Sequence, residues 1–125
     1  MPDKPRHGGK PETGPVIVQI NYRHPEMPRA EWEARYTDDR AGQFLDVGGL
    51  RWKIWLDGAE ERRAGGLYLF EGRAAAEAYV NGPIVARMKG NREVGELEIR
   101  IFEVRQRMSE ITRAPLPIRS AAAAE

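Results

Sequence analysis

The feature that most constrains this chain is a set of four short apolar runs that are greasy on both of their alternating parities. A sheet wet on one side alternates apolar with polar residues along each strand. In Val16-Ile-Val-Gln-Ile-Asn-Tyr22, one parity holds Val16, Val18, Ile20 and Tyr22, and the other holds Ile17, Gln19 and Asn21. Leu50-Arg-Trp-Lys-Ile-Trp-Leu56 sets Leu50, Trp52, Ile54 and Leu56 against Arg51, Lys53 and Trp55. Gly66-Leu-Tyr-Leu-Phe70 is apolar or glycine throughout, and Leu97 to Val104 alternates only until Phe102 and Val104 join the polar parity. Burying one large aromatic side chain is worth roughly 1.5–3 kcal/mol, so leaving either face in water forfeits several such terms. Both faces need a cover, and for the second face the simplest is another copy of the chain.

The segments between the runs complete a fold. Pro28 opens a helix reaching about Leu45, with Ala34, Ala41, Phe44 and Leu45 spaced for one face, although Thr37-Asp38-Asp39 and Gly42 are poor helix formers. Gly48-Gly49 ends it. Asp57-Gly58 begins a turn, and Glu60-Glu-Arg-Arg63 reads as a solvated hairpin loop. Arg73 to Val80 is helical until Asn81-Gly82-Pro83, and Ile84 to Lys89 forms a further short helix. The order β-α-β-β-α-β predicts a ferredoxin-like α+β fold, a four-stranded antiparallel sheet with helices on one face. The first fifteen residues hold four prolines and three glycines, and the chain ends in Ser-Ala-Ala-Ala-Ala-Glu. A disordered tail over 1–15, one domain over 16–113 and a flexible tail over 114–125 are expected.

Composition removes several functions. Twenty basic against nineteen acidic residues leave +1, too little for a strong claim on nucleic acid or anionic lipid. RNA-recognition domains share the element order, but Gly65 and Leu67 stand where their stacking rings belong. Without cysteine there is no disulfide or thiolate chemistry. No apolar run approaches the roughly 20 residues that span a bilayer, and the N-terminus lacks a secretory apolar region, so a cytoplasmic location is expected.

Three blocks carry a resemblance. Gly49-Leu-Arg-Trp-Lys-Ile-Trp55, Ala64-Gly-Gly-Leu-Tyr-Leu-Phe70 and Ala78-Tyr79, with Ile101-Phe102-Glu-Val and Met108-Ser-Glu-Ile111 further on, resemble the YdhR-type monooxygenase family over about residues 16 to 113. The resemblance implies a dimeric α+β barrel, two ferredoxin-like sheets packed face to face, and a relation to small tailoring oxygenases that work without a cofactor. The chain departs from the pattern in its Pro/Gly-rich N-terminal tail and in Gly82-Pro83.

Oxygenation without a cofactor requires an enol or phenol that can be deprotonated, held in an apolar cavity that stabilises its oxyanion. In the related oxygenases an asparagine, a tryptophan and a tyrosine do this. By that resemblance Asn21 is the expected oxyanion donor, with Gln19 assisting. Trp52 and Tyr68 are hydrogen-bonding walls and Phe70 is an apolar wall. Lys53 and Trp55 are assigned to the sheet–sheet interface, with Lys53 pairing Glu98 or another acid. Only His7 and His24 are available, which argues against a serine triad and a two-histidine metal site. For haem degradation, known on this fold, His24 is the one axial candidate in the domain. The expected function is cofactor-independent monooxygenation of a small aromatic or enolisable molecule by a homodimer, with no metal. The alternative is a non-catalytic module that binds such a molecule.

Overall fold

The computed structural model describes residues 14–116. Within them β1 (Val16–Arg23), β2 (Leu50–Gly58), β3 (Arg63–Phe70) and β4 (Gly95–Glu103) form one antiparallel sheet in the order β2-β3-β1-β4. This is the predicted ferredoxin-like arrangement. The least charged runs take the two central positions. β2 and β4, which carry Arg51, Lys53, Glu98 and Arg100, take the edges, where charge guards against stray pairing.

The register fixes which side chains share a face. Val18 opposes Tyr68, and Tyr68 opposes Lys53, so all three point the same way. On that side Val16, Val18, Ile20, Tyr68 and Phe70 join Ala76, Tyr79 and Val85 in the main core. The last three come from α3 (Arg73–Val80) and α4 (Pro83–Lys89), which cover this face. Pro83 stands at the first turn of α4, where its missing N–H costs nothing.

The predicted helix from Pro28 to Leu45 is divided. It becomes α1 (Arg29–Glu33), α2 (Asp38–Gly42) and a 3-10 turn at Gln43–Asp46. Thr37 causes the break: its backbone is extended, and its hydroxyl accepts from the Arg40 N–H at 3.1 Å, capping α2. Asp38 and Asp39 then sit in the first turn of α2, where carboxylates are favoured. The hairpin tip is shorter than expected. Ala59–Glu61 is a 3-10 turn and Arg62 reverses the chain at φ 56°, so Arg63 already pairs with Gly58 and Arg23. One helix, α5 (Gln106–Ile111), follows β4 and was not among the expected elements.

The opposite face carries Gln19 and Asn21 on β1, Ile54 and Leu56 on β2, Leu67 on β3, and Glu98 and Phe102 on β4. Ile54 and Phe102 remain 46% and 48% exposed there. The expected tail boundaries fall mainly outside the described residues, but residues 114–116 are attached. The Ala114 N–H donates to the Ser109 carbonyl at 2.9 Å, and Trp52 Nε1 donates to the Pro115 carbonyl at 2.7 Å. No helix among the described residues is long and apolar enough to cross a membrane.

Candidate active site

A cavity of about 680 Å³ lies on the helix-covered side of the sheet. Its sheet wall is Ile20 and Tyr22 of β1, Lys53 and Trp55 of β2, and Tyr68 of β3. Trp32, Tyr36 and Phe44 close a second side, because the break at Thr37 lets α1 and the 3-10 turn descend separately. Ile84 and Met88 of α4, with Val94, close the third. The rings form one connected set: Trp55 meets Tyr36 and Phe44 edge-on at 5.9 and 5.4 Å, and Phe44 lies 6.2 Å from Tyr68. Such edge-to-face pairs stabilise beyond their buried area and hold the walls rigid.

Lys53 is the chemical centre of this enclosure. Its Nζ stands 3.4 Å from the ring centre of Trp55, 3.7 Å from that of Phe44 and 4.8 Å from that of Tyr68. Among the described residues no carboxylate pairs with it. Burial, and secondarily the Arg40 charge, lowers its pKa from 10.5 to about 7. The three ring faces attract the ammonium form. Gly66 makes this placement possible. A Cβ there would lie 2.9 Å from Lys53 Cε and 3.2 Å from the Ile54 carbonyl oxygen, so the glycine leaves room for the lysine stem.

Other polar groups border the cavity. Arg40 Nη1 donates to the Arg35 carbonyl at 3.0 Å, and its guanidinium lies 5.0 Å from the Tyr36 ring and 5.8 Å from the Trp55 ring. Burial, then the neighbouring Tyr22, pushes the Tyr36 hydroxyl up to about 12, and burial also raises Tyr68. Both phenols therefore stay protonated at neutral pH, with Tyr36 beside Tyr22 and Tyr68 beside Tyr79. Arg35 donates to Glu93 at 2.8 Å across the rim, which lowers the Glu93 carboxyl. His24 stacks on Trp32 at 3.9 Å, with Nδ1 3.0 Å from the Pro25 carbonyl oxygen. His24 Nε2 and Trp32 Nε1 are both enclosed and lack a partner.

The five expected site residues do not gather around one cavity. Tyr68 lines it, and Phe70 shares its face but belongs to the core beneath α3, 5.5 Å from the Tyr79 ring. Gln19, Asn21 and Trp52 lie on the other side of the sheet. Lys53 and Trp55, expected at a sheet–sheet interface, line the cavity instead, and Glu98 faces away from Lys53. The cause is local. β2 has a bulge at Arg51, so Leu50 pairs with Phe70 while Trp52 pairs with the adjacent Leu69. Leu50 thus joins the core and Trp52, two positions on, faces the other way. A basic residue flanked by tryptophans within an apolar run was the available signal for Lys53.

Residues 17–115 match the family described as "Putative mono-oxygenase ydhR". Solved structures agree in fold. SnoaB, a cofactor-independent oxygenase from Streptomyces nogalater, is 17% identical, with 74% of this chain and 94% of that chain covered at a TM-score of 0.55. The heme-degrader MhuD from Mycobacterium tuberculosis, bound to two hemes, is 26% identical over 71% of this chain and 95% of that one, with a TM-score of 0.52. A protein of unknown function from Nitrosomonas europaea is 16% identical over 86% and 99% of the two chains, at a TM-score of 0.58. No curated protein matches the sequence. With 17–115 matched, this chain belongs to the YdhR mono-oxygenase family.

Proposed function

We propose that this protein is a cofactor-independent monooxygenase that takes a phenolic or enolisable aromatic molecule into the helix-side cavity. The observation that carries this reading is Lys53: an amine among three aromatic rings, without a carboxylate partner among the described residues and with a pKa of about 7. At neutral pH a large share of it is the free amine, which can accept the enol proton. The resulting ammonium then stands beside the substrate oxyanion, where low polarity strengthens the attraction. The ring walls hold the substrate flat and exclude water.

Deprotonation makes the substrate electron-rich enough to reduce dioxygen. One electron passes to oxygen, and the two radicals then join to form a carbon–oxygen bond. Lys53 returns its proton to the peroxide oxygen. Loss of water leaves a carbonyl where a CH₂ had been, so one oxygen atom enters the product and the other leaves as water. No external reductant is needed. SnoaB, which shares the fold, is described as a cofactor-independent oxygenase, and that supports this reaction class.

Haem, which MhuD binds, fits less well. His24 is the one histidine among the described residues; its Nδ1 lies against the Pro25 carbonyl and its Nε2 is enclosed. Neither nitrogen is placed to reach an iron.

The test is oxygen uptake with anthrone. The wild type should consume oxygen and form the quinone, and Lys53→Met should reduce the rate by about 10²-fold, the usual worth of a positioned base. Tight binding with no uptake by the wild type would identify a binding module instead.

A further inference from the structure

Four cationic side chains line the cavity, Arg35, Arg40, Lys53 and Arg87, against a single carboxylate, Glu93. Glu93 is already held by Arg35 at 2.8 Å. The chain as a whole carries only +1, so this pocket concentrates positive charge that the rest of the molecule balances. Several arginines outside the cavity have acidic partners: Arg29 with Asp57, Arg51 with Glu71, and Arg63 with Glu96. Arg40 does not. It is half-buried, gives one N–H to the Arg35 carbonyl, and meets no carboxylate among the described residues. It also shares the Trp55 indole with Lys53, the guanidinium at 5.8 Å and the ammonium at 3.4 Å from the ring centre. Two cations over one ring with no anion between them repel each other, in surroundings too dry to screen them well.

We propose that the substrate is an aromatic acid, a planar phenol or enol bearing a carboxylate, and that Arg40 is the residue that binds this carboxylate. The inference rests on the oxygenase reading for the site's location and narrows its substrate class. The carboxylate takes the remaining guanidinium N–H groups of Arg40, a charge-assisted and directional contact. The ring lies in the aromatic slot, and the hydroxyl to be deprotonated is thereby directed towards Lys53. Depression of the Lys53 pKa by Arg40 is the same repulsion seen from the lysine. A bound carboxylate relieves it.

The experiment compares 1-hydroxy-2-naphthoate with its methyl ester and with 1-naphthol, bound anaerobically and followed by calorimetry. In the wild type the acid should bind at least about tenfold more tightly than the ester, the gain of one paired, poorly screened charge. In Arg40→Gln the acid-to-ester ratio should fall to about one, while Arg40→Lys, which keeps the charge, should retain part of it. Because each ratio is taken within one protein, loss of folded material does not imitate the effect. Equal affinity for acid and ester in the wild type, or a ratio unchanged in Arg40→Gln, overturns the proposal. Oxygen uptake then separates the two readings. Turnover of the neutral naphthol with no advantage for the acid leaves the oxygenase standing and removes the acid. Selective binding of the acid without uptake does the reverse, and no binding of any of the three removes both.

Discussion

At the residue scale the central fact is a lysine moved away from its ordinary proton affinity. A solvated lysine titrates at 10.5 and Lys53 at about 7, chiefly because burial penalises its charge. Above 10.5 both folded and unfolded chains hold the amine neutral, and the penalty vanishes. Between about 7 and 10.5 the unfolded chain binds a proton that the folded one does not, so stability rises with pH across that window. Below about 7 both are protonated and the full penalty applies. Lys53→Met should therefore stabilise the protein by roughly 2 kcal/mol near pH 6, after allowing for lost cation–π attraction. The gain should shrink steadily towards pH 10, as read by urea denaturation at several pH values. A gain that stays constant with pH would show that Lys53 titrates normally. A destabilising charge kept in the cavity is the usual sign of a site that trades stability for chemistry. This much was hidden in the sequence. Lys53 stands in Trp52-Lys-Ile-Trp55, and nothing in that run says which tryptophan it accompanies.

At the scale of elements, most of the fold was legible and the faces of β2 were not. The runs beginning at Val16, Leu50 and Leu97, and the stop at Asn81-Gly82-Pro83, are written in local propensity and turn chemistry, so they appear where expected. The bulge at Arg51 has no such signature. It leaves Leu50 on the core face and Trp52 on the other, which spoils any parity count through that point. The more apolar parity of β2, Trp52, Ile54 and Leu56, faces away from the helices while Lys53 and Trp55 face them, so composition pointed to the wrong face. The division of the first helix was half legible: Thr37-Asp38-Asp39 is a capping sequence, but what it positions, Trp32 and Phe44 on separate pieces, needs the tertiary structure. Thr37→Ala removes the hydroxyl that caps α2 and should cost about 1 kcal/mol. Guanidinium denaturation measures it, and Thr37→Ser, which restores the acceptor, should recover most of the loss.

On the scale of the whole molecule, the second face of the sheet still asks for a cover. Ile54 and Phe102 are about half exposed there, beside Leu56 and Leu67. We propose that a second copy packs on this face, in which case Gln19, Asn21 and Trp52 meet the partner's sheet. Light scattering should give about twice the 14.1 kDa chain mass, and Ile54→Glu, which puts a charge in the middle of that surface, should give the single-chain mass. A wild-type protein of single-chain mass would remove the dimer. Whether the helix-side cavity is the working site is tested most directly by a crystal structure of the protein soaked with 1-hydroxy-2-naphthoate under nitrogen. The expected result is a ring within the helix-side cavity, with its hydroxyl at Lys53 Nζ and its carboxylate at Arg40. A ring bound instead against Gln19 and Asn21 on the opposite face would contradict it.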